Sequence, residues 1–113
     1  MTDFDILDRL KNKTLKINVN TAEVTGFHGK PIKILVRDLG TRGCYRFVKV
    51  GKSGKQKKIA LHRLVWMAHT MEVIQEGYDI DHINGTNVEN ADALWNLRKI
   101  DSYSNRSKKE PLE

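Results

Sequence analysis

A chain of 113 residues with a net charge of +6 has the length of one domain, enough to bury roughly two-thirds of its unfolded surface. No apolar run nears the ~20 residues of a membrane helix, and the opening MTDFDILDRL is acidic and interrupted, unlike a signal peptide. Cys44 is the only cysteine, which excludes an internal disulfide and a multi-cysteine zinc cage and fits a reducing, cytoplasmic setting.

The positive charge lies in blocks. From residue 30 to 63 stand Lys30, Lys33, Arg37, Arg42, Arg46, Lys49, Lys52, Lys55, Lys57, Lys58 and Arg63, against Asp38 alone. From 64 to 97 there is no Lys or Arg, and that segment holds Glu72, Glu76, Asp79, Asp81, Glu89 and Asp92. Arg98, Lys99, Arg106, Lys108 and Lys109 then restore the basic character. A basic body around an acidic pocket suits a polyanion that must meet a cation-binding site; the alternative is a merely solvated basic surface.

In chain order, Thr2 can cap a helix over 3–12, with Asp3 and Asp5 in its first turn and Phe4, Leu7 and Leu10 as its apolar stripe. TLKINV (14–19) alternates like a strand, and AEVTGFHGKPIKILV offers two more, separated by Gly26, Gly29 and Pro31. CYRFVKVGKSGKQKKIALHRL reads as a hairpin with Tyr45 and Phe47 inward, sometimes joined by Val48, and Arg46 and Lys49 outward. Lys52, Lys55, Lys57 and Lys58 at or near its turn are candidate phosphate contacts, or simply solubilising charges. LHRLVWMAHTM (61–71) fits a short helix with Leu61, Leu64, Val65 and Ala68 on one face. YDIDHI then reads as a strand, NGTNVENADAL as a polar loop, WNLRKI as a second strand and SYSNRSKK as a basic helix.

The polar residues of this last third are informative. Consecutive strand side chains face opposite ways, so Asp81 and His82 converge on one site only where the strand ends, and Asn84-Gly85 supplies the turn. On the final helix Ser102, Asn105, Arg106 and Lys109 share a face. An amide oxygen beside two cations suits a metal-bound phosphate. A calcium EF-hand does not fit, because Gly85 is misplaced relative to Asp79 and Asp81 and no Glu stands at the twelfth position.

DHINGTNVENADALWNLRKIDSYSNRSKK, with LHRLVW upstream, resembles the HNH endonucleases, specifically the phage and intron-type homing endonuclease branch. The resemblance is densest over 61–109 and looser through the preceding strands. It implies an α+β fold: a small antiparallel lobe (1–60), with its N-terminal helix and DNA-contacting strands, then a ββα-metal finger (61–113). It also implies hydrolysis of DNA phosphodiesters, leaving 5′-phosphate and 3′-hydroxyl ends. Carried across, His82 takes the place of the general base, Asp81 and Asn105 those of the metal ligands, and Asn96 that of the residue orienting loop and imidazole. The loop before Asn96 is slightly longer than usual, which leaves Asn90 as the alternative for the middle position. Neutral imidazole can accept a proton at cytoplasmic pH. One carboxylate and one amide oxygen make a hard, sparse set suited to Mg²⁺ or Mn²⁺.

Arg63, Arg98, Arg106 and Lys109 join the hairpin lysines as expected phosphate contacts. About five such contacts would give a log–log salt slope of roughly −4 to −5. His62, His69 and His28 read as structural, and Trp66 and Trp95 as core. Double-stranded DNA is the expected partner of a monomer or homodimer in a phage or bacterial host cytoplasm. Without a recognisable groove-reading module, weak or short-range sequence preference is expected. A binding module that keeps the fold without cutting, and an RNA-directed nuclease, are the rival readings.

Overall fold

The computed structural model describes residues 2–26, 29–52 and 54–102, excluding the side chain of Arg42. Helix α1 (Asp3–Lys11) begins in a capping box. The Asp5 N–H donates to Thr2 Oγ1, while the Thr2 N–H donates to Asp5 Oδ2 at 2.7 Å. Two of the orphan donors of the first turn are thereby satisfied. Its buried side is Ile6, Leu7 and Leu10. Phe4, expected on that stripe, is 68% exposed. Ile6 and Leu10, four apart and flanking Leu7, centre the apolar face, and Phe4 falls to the side of it.

Strand β1 (Lys16–Asn18) pairs antiparallel with β2 (Glu23–Thr25). A second antiparallel sheet has the order β3 (Leu35–Asp38), β4 (Cys44–Val50), β5 (Lys57–Ala60). On β4 the buried residues are Val48 and Val50, so Arg46 shares the inward face. That is the reverse of the face predicted for Tyr45, Phe47 and Arg46, because a shift of one residue exchanges the two sides of a strand. Tyr45 and Phe47 stack on each other at 5.5 Å on the outer side, with Lys58 Nζ 4.7 Å from the Phe47 ring centre.

Helix α2 (Leu61–Thr70) follows β5 directly and ends at Met71, whose left-handed φ of 55° closes the last turn. Its buried residues Leu61, Leu64, Val65 and Met67 join Ile6 and Val48 as the most enclosed part of the core. Each such side chain contributes about 1.5–3 kcal/mol through burial. The last pair, β6 (Tyr78–His82) and β7 (Leu97–Asp101), forms a third antiparallel sheet, with the 3₁₀ turn Leu94–Asn96 leading into β7. Trp66 packs partly buried on the core, whereas Trp95 is 55% exposed, so the expectation of a core Trp95 fails. Trp95 is carried outward by the same turn that carries its neighbour Asn96 inward. The molecule is α+β with small antiparallel sheets, as the sequence suggests. No helix among the described residues is long and apolar enough to cross a membrane.

Candidate active site

The β6–β7 hairpin places Asp81 opposite Arg98 and His82 opposite Leu97. His82 ends its strand, and the Gly85 N–H donates back to the His82 carbonyl at 3.3 Å. Gly85 adopts a φ of +78°, a left-handed turn that favours glycine. Asp79 belongs to β6 itself.

The long loop between the strands is fastened from inside by Asn96, whose relative exposure is 0%. Asn96 Oδ1 accepts the Asn84 N–H at 2.8 Å. Asn96 Nδ2 donates to the carbonyls of Gly85 at 3.0 Å and Ala91 at 2.8 Å. One amide thus binds both limbs of the loop and uses its donors and acceptor together. Asn90 is an exposed turn residue with a φ of 53°, its carbonyl accepting the Ala93 N–H at 2.9 Å.

The loop segment before Leu94 turns inward. Ala91 and Ala93 are buried, and Asp92 between them is only 4% exposed. His82 Nε2 donates to Asp92 Oδ1 at 2.7 Å, while Asp92 Oδ2 meets Arg46 Nη1 at 3.2 Å. Both terminal nitrogens of Arg46 also donate to the Thr86 carbonyl at 3.2 Å. Burial alone would raise the pKa of Asp92. The hydrogen bond and charge of His82, with the charges of His62 and Arg46, outweigh it and hold the carboxyl below its usual 3.8. Asp92 is therefore a carboxylate, so the proton on the shared bond belongs to Nε2.

His62, in the first turn of α2, lies with its ring centre 4.5 Å from that of His82 and tilted by 51°. Burial first, and then the positive charge available to His82, lower its pKa from 6.5 to about 4. It is a neutral imidazole near pH 7. His62, Arg63, Asp79, Asp81, His82 and Thr86 line one open cleft of about 540 Å³.

The remaining predicted residues divide between cleft and periphery. Arg98 donates from Nε and Nη2 to Asp81 Oδ2, both at 3.0 Å, so it rests on the carboxylate beside His82. Arg63 and Lys57 reach the two oxygens of Asp3 at the start of α1, at 4.0 and 3.7 Å. Lys58 covers the Phe47 ring, and Lys52 and Lys55 are exposed at the β4–β5 turn. Asn105, Arg106 and Lys109 lie outside the described residues, as do His28 and, beyond Ser102, the expected basic helix. Asp92 and Arg46 are the contacts that sequence reasoning missed. A carboxylate set in the otherwise apolar ADAL four residues before Asn96 is the available signal for Asp92. Arg46 required the correct face of β4.

The backbone carrying this site was compared with solved structures. It is similar to the HNH homing endonuclease I-HmuI, from a structure describing DNA binding and cleavage by that enzyme, with a TM-score of 0.59 and 29% sequence identity. The chain has an HNH-like fold. The similarity covers 84% of this chain and 51% of the other, so this chain spans about half the length of that enzyme. No protein-family model and no curated protein match the sequence.

Proposed function

We propose that this protein is a metal-dependent DNA endonuclease with His82 as its general base. The observation that carries the reading is the 2.7 Å bond from His82 Nε2 to buried Asp92, beside Asp81 and on the wall of an open cleft. Asp92 fixes the tautomer and the ring plane, and Nδ1 is the atom left to take a proton from the attacking water. The water oxygen then attacks phosphorus as the bond to the 3′-oxygen breaks. Likeness to an HNH endonuclease supports the same reaction class and DNA as the partner.

The donors on the cleft wall fit a hard cation. Asp79, Asp81 and His82 all line this cleft, and oxygen ligands suit Mg²⁺ or Mn²⁺. Asp81, with Asn105 as the second ligand, would hold the ion, which would supply positive charge for the scissile phosphate and leaving oxygen. Arg98 rests on Asp81 and would turn from that carboxylate to a phosphate oxygen on binding DNA. Residues 1–60 would then serve as the DNA-contacting lobe and 61–113 as the catalytic part.

The test is conversion of supercoiled plasmid to nicked or linear form, with Mg²⁺ and with EDTA, by the wild type and His82→Ala. A loss of about 10²–10⁴-fold is expected for the variant, as for removal of a general base, and none of the activity should survive EDTA. Equal conversion by both proteins would refute His82 as base. Cleavage of RNA alone would redirect the substrate, and no cleavage of either nucleic acid under Mg²⁺ or Mn²⁺ would favour a binding module.

A further inference from the structure

His62 has no part in the hydrolysis described above, yet it is a neutral imidazole set against the proposed base. One ligand atom each from His62, His82 and Asp92 lie within 4.8 Å of one another. We propose that these three residues form a Zn²⁺ site which, when filled, switches the nuclease off. The switch rests on the nuclease reading; the site itself does not.

Two imidazoles and a carboxylate are an ordinary zinc set and a poor magnesium set, since Mg²⁺ prefers oxygen and keeps its waters. Tetrahedral ligands ~2.1 Å from zinc stand roughly 3.4 Å apart, so modest rotations of the two rings bring the three atoms to one ion. Asp92 is already divided for this purpose. Its Oδ1 faces His82, while Oδ2 is held by Arg46, an outer partner of the kind that orients a ligating carboxylate. His62 and His82 both line the open cleft, which gives an ion its way in. Water or a phosphate oxygen can take the fourth position.

The consequence for the base follows from counting lone pairs. A neutral imidazole has one nitrogen lone pair and one N–H. For zinc to bind at Nε2, the ring's single N–H proton, now shared with Asp92, must move to Nδ1. His82 then has no lone pair with which to accept the proton of water. Zinc on the opposite nitrogen would block the base directly. Magnesium on the neighbouring oxygen ligands has no such effect. The two metals therefore act in opposite senses.

The experiment is calorimetric titration of Zn²⁺ into the full chain, without Mg²⁺ or DNA, for the wild type and His62→Phe, which keeps a ring against His82 but offers no lone pair. One equivalent should bind the wild type. The variant should bind more than about 100-fold more weakly, since loss of even an outer-shell partner costs about 10–100-fold. Circular dichroism verifies folding, and His62→Gln replaces His62→Phe if the latter does not fold. Plasmid nicking at fixed Mg²⁺ is then followed against Zn²⁺. Wild type should lose activity over the range in which it binds zinc and recover it with a zinc-selective chelator. The variant should nick at the wild-type rate and resist zinc. Absence of stoichiometric binding, equal binding by the variant, or nicking unchanged or supported by saturating zinc would overturn the proposal. If the zinc-free wild type nicks no DNA, the switch falls with the nuclease reading, and the calorimetry still decides the site.

Discussion

Replacing Asn96 with alanine removes three hydrogen bonds at once. The side chain has no exposed surface, accepts one N–H at 2.8 Å and donates to carbonyls at 3.0 and 2.8 Å. Asn84 and Gly85 are exposed residues whose freed groups water can reach, while Ala91 is buried. The first two bonds should cost about 0.5–1.5 kcal/mol each, and the stranded Ala91 carbonyl about 1–3 kcal/mol. The sum is about 2–6 kcal/mol, a large share of the ~5–15 kcal/mol that holds a typical domain together. Urea unfolding followed by circular dichroism reads this as a lower midpoint. Asn96→Asp should be no better, because its carboxylate keeps the acceptor for Asn84 but turns an oxygen towards two carbonyls. A loss below about 0.5 kcal/mol for Asn96→Ala would refute the reasoning, since surface substitutions alone produce changes of that size.

Acid should destabilise the fold through His62. Its pKa is about 4 when folded and 6.5 as a model imidazole, so between those values the unfolded chain binds more protons and stability falls as pH drops. Linkage gives a loss of about 2 kcal/mol between pH 7.5 and 5, which urea midpoints at the two pH values should show and His62→Phe should abolish. Asp92, held below 3.8, adds its own loss only at lower pH. An equal drop in wild type and variant would show that His62 is not the group responsible. Gly43 has a φ of +95°, and a Cβ there would collide with Thr86 Oγ1, which accepts the Cys44 N–H at 3.3 Å. Gly43→Ala should therefore destabilise by about 1–3 kcal/mol, through backbone strain and displacement of Thr86; an unchanged thermal midpoint would contradict that contact.

Much of the fold was legible because local physics decides it. The capping box of Thr2 and Asp5, the alternation of TLKINV and the turn at Asn84-Gly85 all act over a few residues, and the corresponding elements are present. The sequence by itself also determined the charge blocks and the adjacency of Asp81 and His82 at a strand end. It could not determine the face of β4, because a two-residue period reads equally well in either phase until the core is packed against it. Once Val48 and Val50 face α2, Arg46 must face the loop, 46 residues before its partner Asp92. Nor could a loop sequence show that ADAL folds inward. Apolar burial of Ala91 and Ala93 draws Asp92 against His82, and only there does that carboxylate find the partners that make its burial tolerable. Asp81 and His82 were visible as a pair; the Asp92 carboxylate and the second imidazole that flank His82 were the work of tertiary packing.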